Sequence, residues 1–212
     1  MLWLSCRQIS KRCVQQFRCN STEDIKYCVN LVKEHDYENY LVGSLLPQKY
    51  RDVYFSVRAY HVEISVLREN VKGNTLTGKM RMKWWKSSID DLYSKETIPT
   101  DPVQRALQPC IKKYNLTKRY FERVIDSRYF DLNMIQPDTL SDVENLAEQA
   151  HSSILYLLLE AMGLRDEKTM IMASHVGVGT GIATFLRGTP QHIKQVTTII
   201  VIIVHLTMYN YI

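Results

Sequence analysis

Residues that break regular structure are scarce in this sequence, since 212 residues include only 8 glycines and 6 prolines. This scarcity argues against a repetitive or disordered protein. Apolar residues make up 45% of the chain, which is enough to bury one substantial core at this length. We therefore expect one main folded domain.

Cysteine patterns that hold metals or disulfides are also missing. Neither Cys28 nor Cys110 lies in a CxxC sequence or at ligand spacing from a histidine. The other three of the 5 cysteines fall in the first 22 residues: Cys6, Cys13 and Cys19. A disulfide framework or a zinc site would show a recognisable spacing, so neither is predicted.

Acidic residues are absent before Glu23, while basic, hydroxyl and apolar residues are mixed through the same stretch. Such a composition is typical of an amphipathic mitochondrial transit peptide, which the matrix-negative potential draws inward. We interpret residues 1–22 as a transit peptide, with an ordinary basic surface helix as the alternative. A secretory signal fits less well because charges interrupt its apolar runs: Arg7, Lys11, Arg12 and Arg18.

The net charge of +5 would favour a nucleic-acid partner if it were spread over the folded part. Leaving out the four basic residues of the N-terminal segment reduces 27 basic residues to 23, against 22 acidic ones, a net charge of +1. Nucleic-acid binding requires a concentrated positive surface. No nucleic-acid partner is therefore predicted.

Helical periodicity dominates the rest, and no convincing alternating strand pattern occurs before residue 195. One helix is predicted between Pro47 and the Lys72-Gly73-Asn74 stop, because its apolar residues recur at intervals of three and four: Val53, Val57, Tyr60, Ile64, Leu67 and Val71. Further helices are predicted at residues 76–93, 103–114, 118–132, 141–162 and 166–186. These patterns predict an all-α domain of closely packed helices.

Capping residues mark several predicted boundaries. Thr117 precedes one helix, and Ser141 with Glu144 has the spacing of a capping box at the start of the next, which Gly163 ends. The last helix contains closely spaced small residues, ASHVGVGTGIATFLRG. Because they follow no strand, close helix packing is a better interpretation than a dinucleotide-binding loop.

Five segments occur in an order and spacing that resemble the squalene and phytoene synthase family, over roughly residues 40–190. They are LLPQKYRDVYFSVRAYHVEI, RMKWWKSSIDDLY, FDL, ENLAEQAHSSILYLLLEAMGL and ASHVGVGTGIATFLRGTP. The pairing of RMKWW with FLRGTP behind a transit peptide resembles a mitochondrial branch that supports assembly of respiratory complex I. The resemblance implies an isoprenoid-synthase-like helical bundle, incomplete at its C-terminus.

Active members of that family join two prenyl diphosphates, using magnesium held by carboxylates at i and i+4 on two facing helices. Counted from Arg58, the first pair of acidic positions is occupied here by His61 and Ser65. Glu63 projects about 160° away from His61 around a helix and cannot replace them.

The second acidic pair of the family follows an arginine that matches Arg187, and Gly188 and His192 occupy its acidic positions. Pro190 is also expected to interrupt the helix that should carry them. The resemblance thus implies four degenerate ligand positions, a possible residual pocket lined by Arg58, His61 and Arg187, and no catalytic residues, metal ligands or cofactor.

Other polar residues receive structural interpretations. Asp126 and Asp131 diverge on a helix, and Asp90 and Asp91 fit a solvated surface. Glu144 and Glu148 are four residues apart, but capping already explains Glu144. Isolated histidines such as His151 and His175 fit the core or the surface better than catalysis. Of the adjacent Trp84 and Trp85, one is expected to be buried and the other to face a partner.

The ending is unlike the rest, since residues 196–204 (VTTIIVIIV) are nine consecutive β-branched residues. Such a run favours a strand or an aggregate over a soluble helix, and nothing after His192 resembles the further helices of the family. We therefore expect a shortened or alternatively spliced form. A membrane anchor is the weaker alternative, because residues 196–212 would rise only about 26 Å as a helix.

Three classes of function remain. The preferred hypothesis is a non-catalytic assembly factor for complex I on the matrix side of the mitochondrial inner membrane, with complex I subunits or other assembly factors and the inner-membrane surface as partners. The second is a head-to-head prenyl diphosphate transferase with altered ligands, and the third is a module that binds an isoprenoid or another lipid. The predicted organisation is a transit peptide (1–22), a partial synthase-like domain (23–192) and a divergent hydrophobic tail (193–212).

Overall fold

The computed structural model describes residues 22–67, 75–94, 98–132 and 137–193. The regular structure in these ranges is helical throughout, so the predicted all-α class is confirmed. The predicted transit-peptide segment before residue 22, the hydrophobic run at 196–204 and the predicted stop at 72–74 lie outside the described residues.

The described helices follow one another with short connections. They are α1 (residues 22–35), α2 (Tyr37–Leu45), α3 (Gln48–Ser65), α4 (Thr75–Ser94), α5 (Pro102–Tyr114), α6 (Lys118–Leu132), α7 (Leu140–Ala147), α8 (Ser153–Met162) and α9 (Glu167–Ile193). A π-helical segment, Glu148–Ser152, joins α7 directly to α8. The helices predicted at 76–93, 103–114 and 118–132 are confirmed to within one residue. The helix predicted from Pro47 ends earlier than expected, at Ser65, the one predicted at 141–162 contains the π-helical segment, and α9 is longer than expected.

Local chemistry explains where α5 and α8 begin and end. Asp101 caps α5 by accepting a hydrogen bond from the backbone N–H of Gln104 at 3.0 Å, and Pro102 follows in the first turn, where its missing N–H costs nothing. Asn115 ends α5 with a φ of 49°. Gly163 ends α8 with a φ of 79°, as predicted, because glycine reaches this left-handed conformation without steric strain.

The capping box of α7 lies two residues before its predicted position. Thr139, not Ser141, is the N-cap: its hydroxyl oxygen accepts from the backbone N–H of Asp142 at 3.2 Å, and Asp142 accepts from the N–H of Thr139 at 2.9 Å. Both threonine and serine fit the pattern. The earlier start also places the Asp142 carboxylate in the first turn, where it interacts favourably with the helix dipole.

The prediction that Pro190 interrupts the last helix is wrong, because α9 continues to Ile193. Proline fixes φ near −65°, which is itself a helical value, and removes one hydrogen-bond donor. Pro190 lies three residues before the helix end at Ile193, so the missing N–H removes one hydrogen bond from the last turn alone.

The described chain forms two compact units. Unit 1 comprises the described residues up to Glu63 together with Asp90–Leu116, and unit 2 comprises Ile64–Ile89 together with the described residues from Thr117 onwards. The apolar stripe predicted on α3 is buried, with at most 2% exposure at each described position: Val53, Val57, Tyr60, Ile64 and Leu67. The hydrophobic effect along this stripe stabilises the fold.

In unit 1, an ion pair ties α1 to α5. The guanidinium of Arg105 donates to the Asp24 carboxylate from Nε at 2.9 Å and from Nη2 at 2.6 Å, and the Asp24 side chain is only 6% exposed. A buried carboxylate is stable there because the two hydrogen bonds and the opposite charge replace its hydration.

In unit 2, α9 approaches the α7–α8 helix closely through its small residues. A Cβ added at Gly177 would lie 2.5 Å from Cα of Ser152, and one added at Gly181 would lie 2.5 Å from Cβ of Ala147. Real side chains do not approach so closely, so glycine is required at both positions. The predicted role of the small residues in helix packing is confirmed.

Gly177→Ala is expected to lower the free energy of unfolding by about 1–3 kcal/mol, because its Cβ would meet the backbone of Ser152 and push the two helices apart. Gly179→Ala is the matched control in the same helix. A Cβ there meets nothing within 4 Å, and alanine favours a helix over glycine by about 1 kcal/mol. Denaturant titration measures the free energy of unfolding of both variants. Equal losses of stability in Gly177→Ala and Gly179→Ala would contradict a specific packing role for Gly177.

Candidate functional site

Arg58 and His61, predicted to border a residual pocket, both lie on α3 in unit 1. The Arg58 side chain is 12% exposed, and its Nη1 lies 3.8 Å from Asp36 Oδ2. Its guanidinium also lies over the Tyr54 ring, 5.9 Å from the centroid. His61 is buried. Arg58 is thus held by an acid and an aromatic ring of its own unit.

Ser65, one turn after His61, belongs to unit 2 and has a partner there that sequence analysis did not identify. The Arg128 guanidinium, from α6 in the same unit, donates a hydrogen bond from Nη2 to Ser65 Oγ at 2.9 Å. The two residues are 63 positions apart, so no local spacing could have indicated the pair. A fixed positive charge therefore lies beside this position.

Arg187 and Gly188 lie near the end of α9 in unit 2. Arg187 is exposed and Gly188 is half-buried, while for His192 the structure describes the backbone alone. Within the described ranges, no three His, Cys, Asp or Glu side chains are grouped so that they could hold a metal ion.

A polar cluster of unit 2 surrounds Glu148. Its carboxylate accepts hydrogen bonds from Tyr156 Oη at 2.7 Å, Ser174 Oγ at 2.8 Å and Arg123 Nη2 at 3.2 Å. These four residues, the Glu148 cluster, come from the π-helical segment, α8, α9 and α6. One carboxylate therefore links four helical segments.

The environment of Glu148 favours its charged form. Burial by itself would raise the pKa of this carboxyl, but hydrogen bonds from neighbouring hydroxyl groups and from Arg123 outweigh it and hold the pKa below its ordinary value. The π-helical segment, whose wider turn inserts an extra residue, presents Glu148 at this point. Sequence analysis assigned Glu148 no role, although an acid between Ala147 and Ala150 was a possible signal.

A buried carboxylate, Glu160, fixes the start of α6. It accepts from the backbone N–H of Thr117 at 2.8 Å and from the Thr117 hydroxyl at 2.5 Å, and Arg165 Nη1 lies 3.1 Å away. Thr117 precedes α6 as predicted, and its hydroxyl donates to Glu160. Glu160 supplies the acceptor that this helix start needs.

The other acidic residues and histidines considered from the sequence are paired with a neighbouring charge, exposed or half-buried. Asp126 pairs with Lys86 at 3.0 Å, Asp90 and His175 are exposed, and His151 is half-buried. Trp85 is 1% exposed and Trp84 44% exposed, so the prediction that one of the two tryptophans is buried is confirmed, while a partner contact of Trp84 stays a prediction.

Two free cysteines of the described chain are buried in unit 1. Burial raises the pKa of the Cys28 thiol far above its ordinary value and that of Cys110 to about 11. Both thiols therefore stay protonated near neutral pH and are poor nucleophiles and metal ligands.

One stretch of the described chain, Glu167–Gly188 in α9, is long and apolar enough to cross a membrane by length and composition alone. Core helices can meet the same criterion, and one face of α9 is buried through Ala173, Gly177 and Gly181. The finding is therefore weak evidence for a membrane span.

Comparison with known proteins gives a consistent result. The squalene/phytoene synthase family model matches residues 32–199. The protein from Bos taurus named NADH dehydrogenase (ubiquinone) complex I, assembly factor 6, is 40% identical over 167 residues, which are 79% of this chain and 50% of the relative. The homolog of that factor from Drosophila melanogaster is 36% identical, over 80% of this chain and 52% of the relative. The chain thus spans about half the length of the curated relatives it matches.

Two solved structures share the fold. A dehydrosqualene synthase has a TM-score of 0.68 and covers 79% of this chain and 57% of its own. Squalene synthase HpnC from Alicyclobacillus acidocaldarius has a TM-score of 0.71 and covers 82% and 65%. Both are 22% identical to this chain. The predicted isoprenoid-synthase-like helical fold is confirmed.

Glu148→Gln is expected to lower the free energy of unfolding at neutral pH by about 1–3 kcal/mol, since glutamine cannot supply the charge that Arg123 faces. Because the folded state lowers the pKa of Glu148, this stabilisation is present above the ordinary glutamate pKa and is lost as the pH falls through the folded-state pKa. Thermal melts from neutral to acidic pH should show the two proteins converging.

The matched control is Glu144→Gln, an exposed acid one turn earlier on α7. It should change stability little and without this pH dependence. Equal losses for both variants at neutral pH would contradict a specific role for the Glu148 cluster.

Proposed function

We propose, since this chain belongs to the squalene/phytoene synthase family, that it acts as a non-catalytic factor in the assembly of respiratory complex I. Relatives that are 36–40% identical over about four-fifths of the chain carry the name of such a factor. Its place of action in this proposal is the matrix side of the mitochondrial inner membrane, with complex I subunits or other assembly factors as partners.

The hydrogen bond from Arg128 to Ser65 is the observation that carries the non-catalytic part of the proposal. By the family resemblance, Ser65 occupies a position where an acid would hold magnesium. A guanidinium lies 2.9 Å from its hydroxyl oxygen, and a divalent cation about 5 Å from that charge would be repelled by about 7 kcal/mol at an effective dielectric constant of about 20. The positive charge beside Ser65 thus comes from Arg128 of the protein itself, and it disfavours a metal ion at this position.

The other proposed degenerate ligand positions, each taken by itself, add no negative charge. His61 is a buried imidazole and Gly188 has no side chain, whereas magnesium prefers hard anionic oxygen ligands. These residues do not fit a magnesium cluster of the kind that ionises a prenyl diphosphate. The helical scaffold is retained, so a role through protein contacts is the function that we infer.

Depletion of the protein in its own cells should reduce the abundance of complex I on native gels and leave the other respiratory complexes unchanged. Re-expression of the chain with Arg187→Ala should restore complex I as well as the unaltered chain does, because the proposal gives this exposed arginine no catalytic task. Normal complex I after depletion would overturn the proposal.

The purified chain is expected to release no pyrophosphate from farnesyl or geranylgeranyl diphosphate with Mg²⁺. The double variant His61→Asp and Ser65→Asp should also be inactive, because the second pair of positions remains non-acidic and the carboxylate introduced in place of Ser65 would pair with Arg128. Pyrophosphate release is measured with a coupled phosphate assay, and an active synthase of the same fold is the positive control. Magnesium-dependent turnover by the unaltered chain would instead favour the transferase hypothesis.

A further inference from the structure

Helix α4 carries a second apolar face that the fold does not bury. Met82, Trp85 and Ile89 are at most 1% exposed and form its inner face. Leu76, Met80 and Trp84 recur every four residues on another side and are 67%, 65% and 44% exposed. This outward stripe extends about 12 Å along the helix axis.

Basic residues border the outward stripe on both sides. Lys79 and Lys83 lie about 100° and 60° from Met80 in one direction around the helix, and Arg81 lies about 100° away in the other. All three side chains are exposed. Lys86 is already paired with Asp126, and Asp90 and Asp91 lie about 9–10 Å beyond Trp84 along the axis. The positive, apolar patch is therefore confined to the N-terminal half of α4.

This arrangement is typical of a helix that lies in the surface of an anionic membrane. Leucine, methionine and tryptophan enter the interfacial region, while flanking lysine and arginine side chains reach the phosphate groups. Protein interfaces are depleted in lysine, so two lysines beside the stripe favour a lipid surface over a protein partner.

Helix α2 provides an internal contrast. Tyr37, Leu41 and Leu45 form an exposed apolar stripe of the same spacing, with exposures of 57%, 48% and 86%. Its sequence, YENYLVGSL, contains no lysine or arginine and includes Glu38. Arg51 of α3 donates to the Ser44 and Leu46 carbonyls at the end of α2, but α2 itself brings no positive charge. An anionic surface therefore attracts this stripe less than that of α4, and it serves as the control.

We propose that the outward stripe of α4 binds the protein to an anionic phospholipid membrane, with α4 parallel to the surface. The stripe consists of the apolar residues Leu76, Met80 and Trp84 and the basic residues Lys79, Arg81 and Lys83. The inference rests on the proposed function in one respect: the choice of a cardiolipin-containing membrane as the natural target.

The test uses the full chain with Cys6, Cys13 and Cys19 replaced by serine and one cysteine introduced by Met80→Cys, labelled with an environment-sensitive fluorophore. Cys28 and Cys110 are buried and remain unlabelled. Vesicles of phosphatidylcholine with cardiolipin should shift the emission at residue 80 to the blue and increase it, and vesicles of phosphatidylcholine alone should not. The same label at Leu41→Cys on α2 should not respond.

Charge is tested with two double variants of equal net charge. Lys79→Gln with Lys83→Gln should weaken the partitioning read at residue 80 by up to about thirtyfold, since each basic residue near the surface contributes about a factor of five. Lys26→Gln with Lys168→Gln, both exposed elsewhere, should have little effect. The basic N-terminal segment is the same in all variants, and circular dichroism verifies that each one folds.

Three outcomes would each overturn the proposed docking surface. They are no fluorescence response at residue 80, an equal response at residue 41, and equal weakening of partitioning by the two double variants. Vesicles contain no complex I, and the depletion experiment contains no vesicles. Failure of the lipid result therefore leaves the assembly proposal standing, and normal complex I after depletion leaves the lipid result standing.

Discussion

The charge-assisted hydrogen bonds at Glu148 are the interaction on which the arrangement of unit 2 depends. The carboxylate receives Arg123 from α6, Tyr156 from α8 and Ser174 from α9, so these helices cannot shift separately without leaving a partly buried charge unsatisfied. Glu160 fixes the start of α6 in addition. Since α6 also carries Arg128, the same contacts determine where its guanidinium meets Ser65.

Apolar packing stabilises this scaffold at positions other than the proposed degenerate ligand positions. The buried stripe of α3 and the glycine-mediated contact of α9 stabilise the helices through area buried and close approach. Neither uses the positions at which the family resemblance places acidic ligands. The proposed loss of acids at such positions would therefore leave the folded scaffold intact, and the hydrogen bond from Arg128 to Ser65 adds a favourable contact.

Much of the fold could be predicted from the sequence because helix periodicity and capping are local. The stripe from Val53 to Leu67 and the end at Gly163 follow from spacing and from the conformational freedom of glycine. The capping box was misplaced by two residues because two hydroxyl residues satisfy the same pattern. The Glu148 cluster and the Arg128–Ser65 pair could not be predicted, since their partners lie on different helices and no sequence period records such contacts.

The buried thiols of unit 1 have a consequence for the chemical durability of the protein. Hydrogen peroxide oxidises the thiolate form of cysteine, and a thiol with a pKa of about 11 is ionised in roughly one molecule in a thousand or fewer near neutral pH. Cys110, and Cys28 still more, would react with peroxide far more slowly than an exposed thiol. Burial thus protects these two thiols against oxidation for as long as unit 1 stays folded.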